Sequence, residues 1–353
     1  MGRLFPHQPI ADFGAALFCA LGADREEADI AAGALVQSSL MGHDSHGVLR
    51  IPEYLGFLED GSLKPRATME VCRTGRGTAS VDCGYGFGAV GGQRAMEVAV
   101  ELAREQGTAC VITRRCSHVG RLGAYVESAA RAGLIALATC NSPVSGHFVL
   151  PFGGRAGRLA TNPIAYGLPS GGEPIVADFS TSVAPEGKIR VCLNEGKPVP
   201  EGWILDAAGN PTTDPRSFYG PPRGGILPLG GAAGHKGFAL GLLVEVLGSA
   251  LAGVSATDGT VRGNGVCLLV VDPATFCPLE EFLRRINETI LYIKSSPPAP
   301  GVREVLVPGE LGFRTRNRRL AEGIPIDEPT LSAMSEWARR LGAHIPWKEG
   351  VAS

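Results

Sequence analysis

Ala79-Ser80-Val81-Asp82-Cys83-Gly84-Tyr85-Gly86-Phe87-Gly88-Ala89-Val90-Gly91 is the stretch on which the fold turns. It reads as a short strand, a glycine-dense turn and the opening of a helix. Gly86 to Gly91 spells G-x-G-x-x-G, the dinucleotide fingerprint of a Rossmann unit. That fingerprint also needs an acidic residue about 20 positions on, at the end of the next strand, to hold a ribose. The next strand, Ala109-Cys110-Val111-Ile112-Thr113, runs instead into Arg114-Arg115-Cys116-Ser117-His118. Two arginines suit a ribose 2′-phosphate, so a Rossmann dehydrogenase stays open as an alternative. A chain with 49 glycines in 353 residues also makes such turns without any nucleotide, and a structural turn is the preferred reading.

Upstream of this stretch the pattern is helical. Ile10 to Leu21 is amphipathic, Asp24 caps a second helix with Glu26 and Glu27 in its first turn, and Val48 to Leu58 gives a third before Gly61 and Pro65. Downstream, short apolar runs alternate with helical stretches. These are a helix from about Gly92 to Gln106, then Ala109 to Thr113, Gly123 to Ala132, Leu134 to Ala138, Pro174 to Asp178, Gly237 to Leu251 and Val266 to Val271. The alternation predicts an α/β domain.

Composition narrows the class of partner. Apolar residues make up 44% and charged residues 19%, and the formal net charge is −2, so neither nucleic acid nor a membrane is expected as a partner. The densest basic cluster, Arg314 to Arg319, reads as a solvated helix face. Nine cysteines without a C-x-x-C pair look like small buried hydrophobes of a reducing compartment. No signal peptide and no membrane-length apolar run are visible, so a cytoplasmic protein is expected.

The chemistry-bearing segment is Asp44-Ser45-His46-Gly47-Val48-Leu49-Arg50. Oxidising a 2-hydroxy acid or reducing a 2-keto acid needs a proton carrier, a cation for the carboxylate and a hydride carrier facing the reacting carbon. Histidine titrates near neutrality and arginine clamps carboxylates with two hydrogen bonds, so His46 and Arg50 offer the first two. Four residues apart, they would share one face of a helix beginning here, with Asp44 or Ser45 as its cap or as orienter of the imidazole. A capped helix start with a surface His and Arg is the competing local reading. His43 and His46 form an H-x-x-H, but no companion ligand cluster stands out and no metal is expected. His118 sits past a strand and before a helix, where α/β enzymes place catalytic groups. His235-Lys236, at the opening of an apolar helix, suit an anion such as a cofactor phosphate. The loops Asn141-Ser142, Thr161-Asn162-Pro163 and Asp178-Phe179-Ser180-Thr181-Ser182 also follow short apolar or glycine-rich stretches and present small polar groups.

In this order and spacing the segments resemble the malate/L-lactate dehydrogenase family that is not Rossmann-type. Its relatives include ureidoglycolate, sulfolactate, diketogulonate and cyclic-imine carboxylate oxidoreductases. The matching elements are Asp44-Ser45-His46-Gly47-Val48-x-Arg50 with Tyr54, Ser117-His118-x-Gly120, Asn141-Ser142, Thr161-Asn162-Pro163, Asp178 to Ser182, Gly234-His235-Lys236-Gly237 and Pro308-Gly309-Glu310.

The resemblance implies a mixed sheet with flanking helices (76–299) and a small helical domain built from both termini (1–75 with 300–353). It also implies a homodimer and NAD or NADP bound without the Rossmann fingerprint. By the same resemblance His46 and His118 are the acid/base pair, with Asp44 and Ser45 beside them. Arg50 anchors the carboxylate, with Thr161 and Asn162 at the substrate. Ser142, Asp178, Phe179, Ser180, Thr181, Ser182, His235, Lys236, Gly309 and Glu310 contact the cofactor. The chain departs from the family pattern at Ser117, Val119, Ala160 and the segment Val183 to Lys188, which puts the identity of the acid in doubt. Reduction of a pyrroline- or piperideine-2-carboxylate is the nearest enzymatic alternative, and a nucleotide-binding protein without catalysis is the remaining one.

Overall fold

The computed structural model describes residues 2–347, so the end of the expected helical domain (348–353) lies outside the described residues. Seven strands form the large sheet. In spatial order they are Glu70–Arg73, Thr78–Asp82, Thr108–Arg114, Val266–Val271, Ile135–Cys140, Ile164–Leu168 and Ile175–Phe179. Only Thr78–Asp82 and Thr108–Arg114 run parallel, joined by the helix Gly88–Gln106; every other neighbouring pair is antiparallel. A Rossmann sheet is mostly parallel, so this mixed order rules out that alternative.

The glycines of the G-x-G-x-x-G show why the turn exists. A Cβ on Gly86 would sit 2.9 Å from that of Ala67, one on Gly88 would sit 2.2 Å from the His118 carbonyl oxygen, and one on Gly91 would sit 2.6 Å from Cys83 Sγ. The missing side chains make room for the protein itself. Gly88 in particular lets the helix press against the backbone of the His118 loop.

One core lies between the sheet and the helices Gly88–Gln106 and Gly123–Arg131, filled by Val98, Leu102, Val111, Val126, Leu134 and Leu268 among others. The opposite sheet face, through Ile112 and Cys267, meets Leu247 of the helix Gly234–Gly248. A second core draws on both ends of the chain. It joins the helices His7–Ala20, Arg25–Leu40 and Ile51–Glu59 to Glu328–Leu341, and the strand Arg3–Phe5 pairs with Ile324–Ile326. Asp24 caps its helix as expected, accepting from the Glu27 amide while Glu27 Oε1 accepts from the Asp24 amide.

The basic cluster near the C-terminus is a solvated face at Arg314 and Arg318, whereas Arg316 and Arg319 turn inward. Within the helix Glu310–Glu322, Arg314 pairs with Glu304, Arg316 with Glu173, and Arg319 with Asp44. Among the described residues no helix is long and apolar enough to cross a membrane.

Candidate active site

His46 and Arg50 sit on two successive 3-10 turns, Asp44–His46 and Val48–Arg50, ahead of the helix Ile51–Glu59. The expected single helix face is therefore absent, because Gly47 between the turns is extended (φ −99°, ψ −151°). Glycine is required there: a Cβ would lie 2.0 Å from Ser39 Oγ, which also accepts from the Val48 amide at 3.0 Å. Arg50 folds back instead. Its Nε donates to the Ser45 carbonyl at 2.8 Å and its Nη1 meets Glu53 Oε2 at 2.5 Å. Its Nη2 carries no bond among the described residues.

Asp44 does not orient the imidazole. Its carboxylate is held by Arg319, with Nη1 at 2.5 Å and Nη2 at 3.0 Å, and Arg319 is only 12% exposed. The pair ties the histidine turn to the C-terminal helix, which is a scaffolding role.

The His118 loop comes to the same place. The rings of His46 and His118 stack with centroids 5.3 Å apart and planes 12° from parallel. Tyr54, buried in the helix Ile51–Glu59, puts its hydroxyl 2.7 Å from His118 Nδ1 and 3.2 Å from the His118 carbonyl oxygen. Burial pushes the His118 imidazole well below the usual histidine range, and His46 and Arg50 push it further. His46 falls to about 4 through burial first, then Arg50 and His43, and its buried Nδ1 has no hydrogen-bond partner among the described residues. Burial holds the Tyr54 phenol above its ordinary value, so it stays a neutral hydrogen-bonding group. Arg50 thus acts electrostatically on both imidazoles although no helix face joins them.

The segments expected to hold a cofactor are bonded to one another. The Val183 amide donates to the Leu227 carbonyl and the Leu229 amide to the Thr181 carbonyl, both at 2.9 Å. These bonds stitch Asp178 to Ser182 onto the chain that leads into His235 and Lys236. The Val176 amide donates to the Pro308 carbonyl (3.2 Å), setting the Gly309-Glu310 turn against the same strand. His235 and Lys236 are exposed in the first turn of the helix Gly234–Gly248, and Phe179 is exposed at its strand end.

Several side chains in these segments are committed to the protein. Asp178 Oδ2 accepts from the Gly123 amide at 2.7 Å. Ser180 Oγ donates to the Ser182 carbonyl at 2.9 Å and Ser182 Oγ to the Ala184 carbonyl at 2.8 Å. Thr181 Oγ1 donates to the Asn162 carbonyl at 3.0 Å, and Glu310 pairs with Lys294 at 2.5 Å. The Asn162 side chain is buried and its Nδ2 donates to Gly241 O (2.9 Å) and Glu245 Oε2 (3.0 Å), while its φ of +39° bends the loop. Thr161 contributes its carbonyl to the Thr181 amide at 2.9 Å. Arg121, a second basic residue of the His118 loop, is buried and paired with Glu127 at 3.1 Å.

Two residues missed by the sequence reading hold the loops together. Glu245 Oε1 accepts from Asn141 Nδ2 at 2.9 Å, opposite its bond to Asn162, so one buried carboxylate joins both loops. It was detectable as the lone acid in the apolar run Phe238 to Leu251. Asn264 carried no comparable signal; it bonds both the His118 loop and Ser142.

A half-buried histidine pair with an arginine close by lies within residues 5–335, which match the family described as malate/L-lactate dehydrogenase. The chain belongs to the malate/L-lactate dehydrogenase family. A malate dehydrogenase from Pyrococcus horikoshii is 36% identical over 347 residues, covering 96% of this chain and 95% of that protein. Its solved structure superposes with a TM-score of 0.87 at 33% identity, covering 97% of each chain. An L-lactate dehydrogenase from Cupriavidus necator is 36% identical, covering 92% of this chain and 95% of that protein. The delta1-piperideine-2-carboxylate reductase of Pseudomonas syringae superposes with a TM-score of 0.83 at 32% identity, covering 95% and 100% of the two chains. As a member of the malate/L-lactate dehydrogenase family, this chain is an oxidoreductase of the hydroxy- and keto-acid kind.

Proposed function

We propose that the protein interconverts a small 2-keto acid and its 2-hydroxy acid with NAD or NADP, using the His46–His118 pair for the proton and Arg50 for the carboxylate. The observation that carries this reading is the stacked pair, 5.3 Å between ring centroids, with Arg50 depressing the proton affinity of both rings.

Near neutral pH both imidazoles are neutral, so either ring can take the hydroxyl proton as the acid is oxidised. A substrate carboxylate on the open edge of Arg50 offsets that positive charge and raises the proton affinity of both rings when it is needed. Tyr54 supports either tautomer of His118. Its hydroxyl donates to Nδ1 when Nε2 carries the proton, and donates to the His118 carbonyl while accepting from Nδ1–H in the other state.

The donor set of the expected cofactor segments fits a dinucleotide. Lys236, His235 and the helix-opening amides suit a phosphate, and exposed Phe179 offers an apolar face. The cofactor supplies the hydride acceptor or donor; the chain binds it, orients it and handles the proton. Ser142, Asp178 to Ser182, Gly309 and Glu310 would shape that site mainly through backbone, given how many of their side chains are already bonded.

A cyclic imine carboxylate is the second reading. It is favoured by the likeness to the piperideine-2-carboxylate reductase and by a carboxylate anchor common to both substrates. Change in NAD(P)H absorbance with a panel of 2-keto acids, 2-hydroxy acids and cyclic imines, each with both cofactors, tests the two readings together. Keto acid turnover is expected, whereas turnover of imines alone would replace the first reading by the second.

The protein is also proposed to pair with a second copy of itself. The helix Gly234–Gly248 leaves Leu240, Leu242, Leu243 and Val246 exposed, and the helix Leu279–Lys294 buries no residue. Light scattering after size exclusion is expected to give twice the chain mass, and a monomer at micromolar concentration would contradict this.

A further inference from the structure

Asn264 is far from the two active-site loops in sequence and bonded to both in space. Its backbone amide donates to the Cys116 carbonyl at 2.6 Å and its Oδ1 accepts from the Val119 amide at 3.1 Å, so it grips the chain on either side of His118. Its Nδ2 donates to the Asn141 carbonyl at 2.8 Å and to Ser142 Oγ at 3.3 Å. One acceptor and two donors are all used, a set that only a short side-chain amide provides.

The flanking residues seat it there. A Cβ on Gly263, at φ +79°, would fall 1.9 Å from the Cys116 carbonyl oxygen, and one on Gly265 would fall 1.8 Å from the Gly248 carbonyl oxygen. The segment enters the gap between the loops as backbone, and Asn264 supplies its only side chain.

We infer that Asn264 is a positioning residue that sets the separation between His118 and the proposed cofactor contact at Ser142. The inference rests on the proposed roles of His118 and Ser142. A proton carrier and a hydride carrier must reach the same substrate carbon and oxygen together, and a displacement of about 1 Å costs on the order of a hundredfold in rate. The amide bridge fixes that spacing without touching the reacting atoms.

Two variants separate its arms. Asn264→Ala removes every side-chain bond. Asn264→Asp keeps an acceptor for the Val119 amide and sets a carboxylate oxygen against the Asn141 carbonyl, so it breaks only the hold on the Asn141-Ser142 loop, at the Asn141 carbonyl. In keto acid reduction both are expected to lower kcat by about ten- to a hundredfold. KM for the acid should stay within about threefold, because Arg50 is untouched. The isotope effect with 4-deuterated NAD(P)H should rise as hydride transfer comes to limit turnover.

Combined with His118→Ala, Asn264→Ala should add nothing to the loss in kcat, since it acts through that histidine. The near-isosteric Asn264→Asp carries the test if Asn264→Ala does not fold. Wild-type kcat and isotope effect in Asn264→Asp, or losses that multiply in the double variant, would overturn the role. A wild-type chain that turns over no keto acid, hydroxy acid or imine would overturn the reaction itself, and the role with it.

Discussion

Replacing Tyr54 by phenylalanine tests how the proton carrier is held. The ring is buried among Phe18, Phe57 and His118, so Tyr54→Phe keeps the packing and removes only a hydroxyl. That hydroxyl lies 2.7 Å from His118 Nδ1 and 3.2 Å from the His118 carbonyl oxygen, and no water-facing substitute is at hand because Tyr54 is 2% exposed. Leaving a buried polar group unpaired costs about 1–3 kcal/mol. If the penalty falls on the productive orientation of His118, it converts to roughly a five- to 160-fold loss in kcat.

The phenol stays neutral throughout the working pH range, so the loss should be nearly independent of pH. KM for the acid should hold, because Arg50 draws its own partners from Ser45 and Glu53. Steady-state kinetics of keto acid reduction over roughly one pH unit either side of neutrality measure this directly. Unchanged kcat in folded Tyr54→Phe would refute the argument that this hydroxyl orients the imidazole.

Arg50→Ala is expected to raise KM for the acid by at least about tenfold, the scale of one lost charge-assisted bond, with a smaller effect on kcat; initial rates against acid concentration decide it. Stability should also respond to acid through His46, which titrates at 6.5 when unfolded and about 4 when folded. The folded state is the weaker proton binder, so this contribution is complete above pH 6.5 and is lost as pH falls toward 4, by up to roughly 3 kcal/mol. Urea midpoints at pH 7 and pH 4.5 should therefore converge in His46→Asn relative to wild type, and an identical pH slope in both would contradict the shift.

The layered character of the fold is legible because strand and helix periods alternate from Thr78 onward, and local periodicity survives in the sequence. The order of the strands is not. Val266–Val271 enters the middle of the sheet between Thr108–Arg114 and Ile135–Cys140, a pairing set by contacts across more than a hundred residues. The G-x-G-x-x-G misleads for a physical reason: glycine marks close approach, and here the approaching group is the His118 backbone or a cysteine sulfur. In the site, His46, His118 and Arg50 could be named from residue chemistry and motif order. The partners of Asp44 and Asn162 could not, because Arg319 and Glu245 come from distant helices and capture side chains that look free in the local sequence.

The account stands most directly on turnover by His118→Ala and His46→Ala beside wild type, with the best keto acid of the panel and saturating NAD(P)H. A positioned proton carrier contributes about a hundred- to ten-thousandfold. At least one of the two variants is therefore expected to lose kcat by that factor while still binding the cofactor, as followed by NAD(P)H fluorescence. Wild-type kcat in both variants would show that the stacked histidines carry no proton and would contradict the central claim.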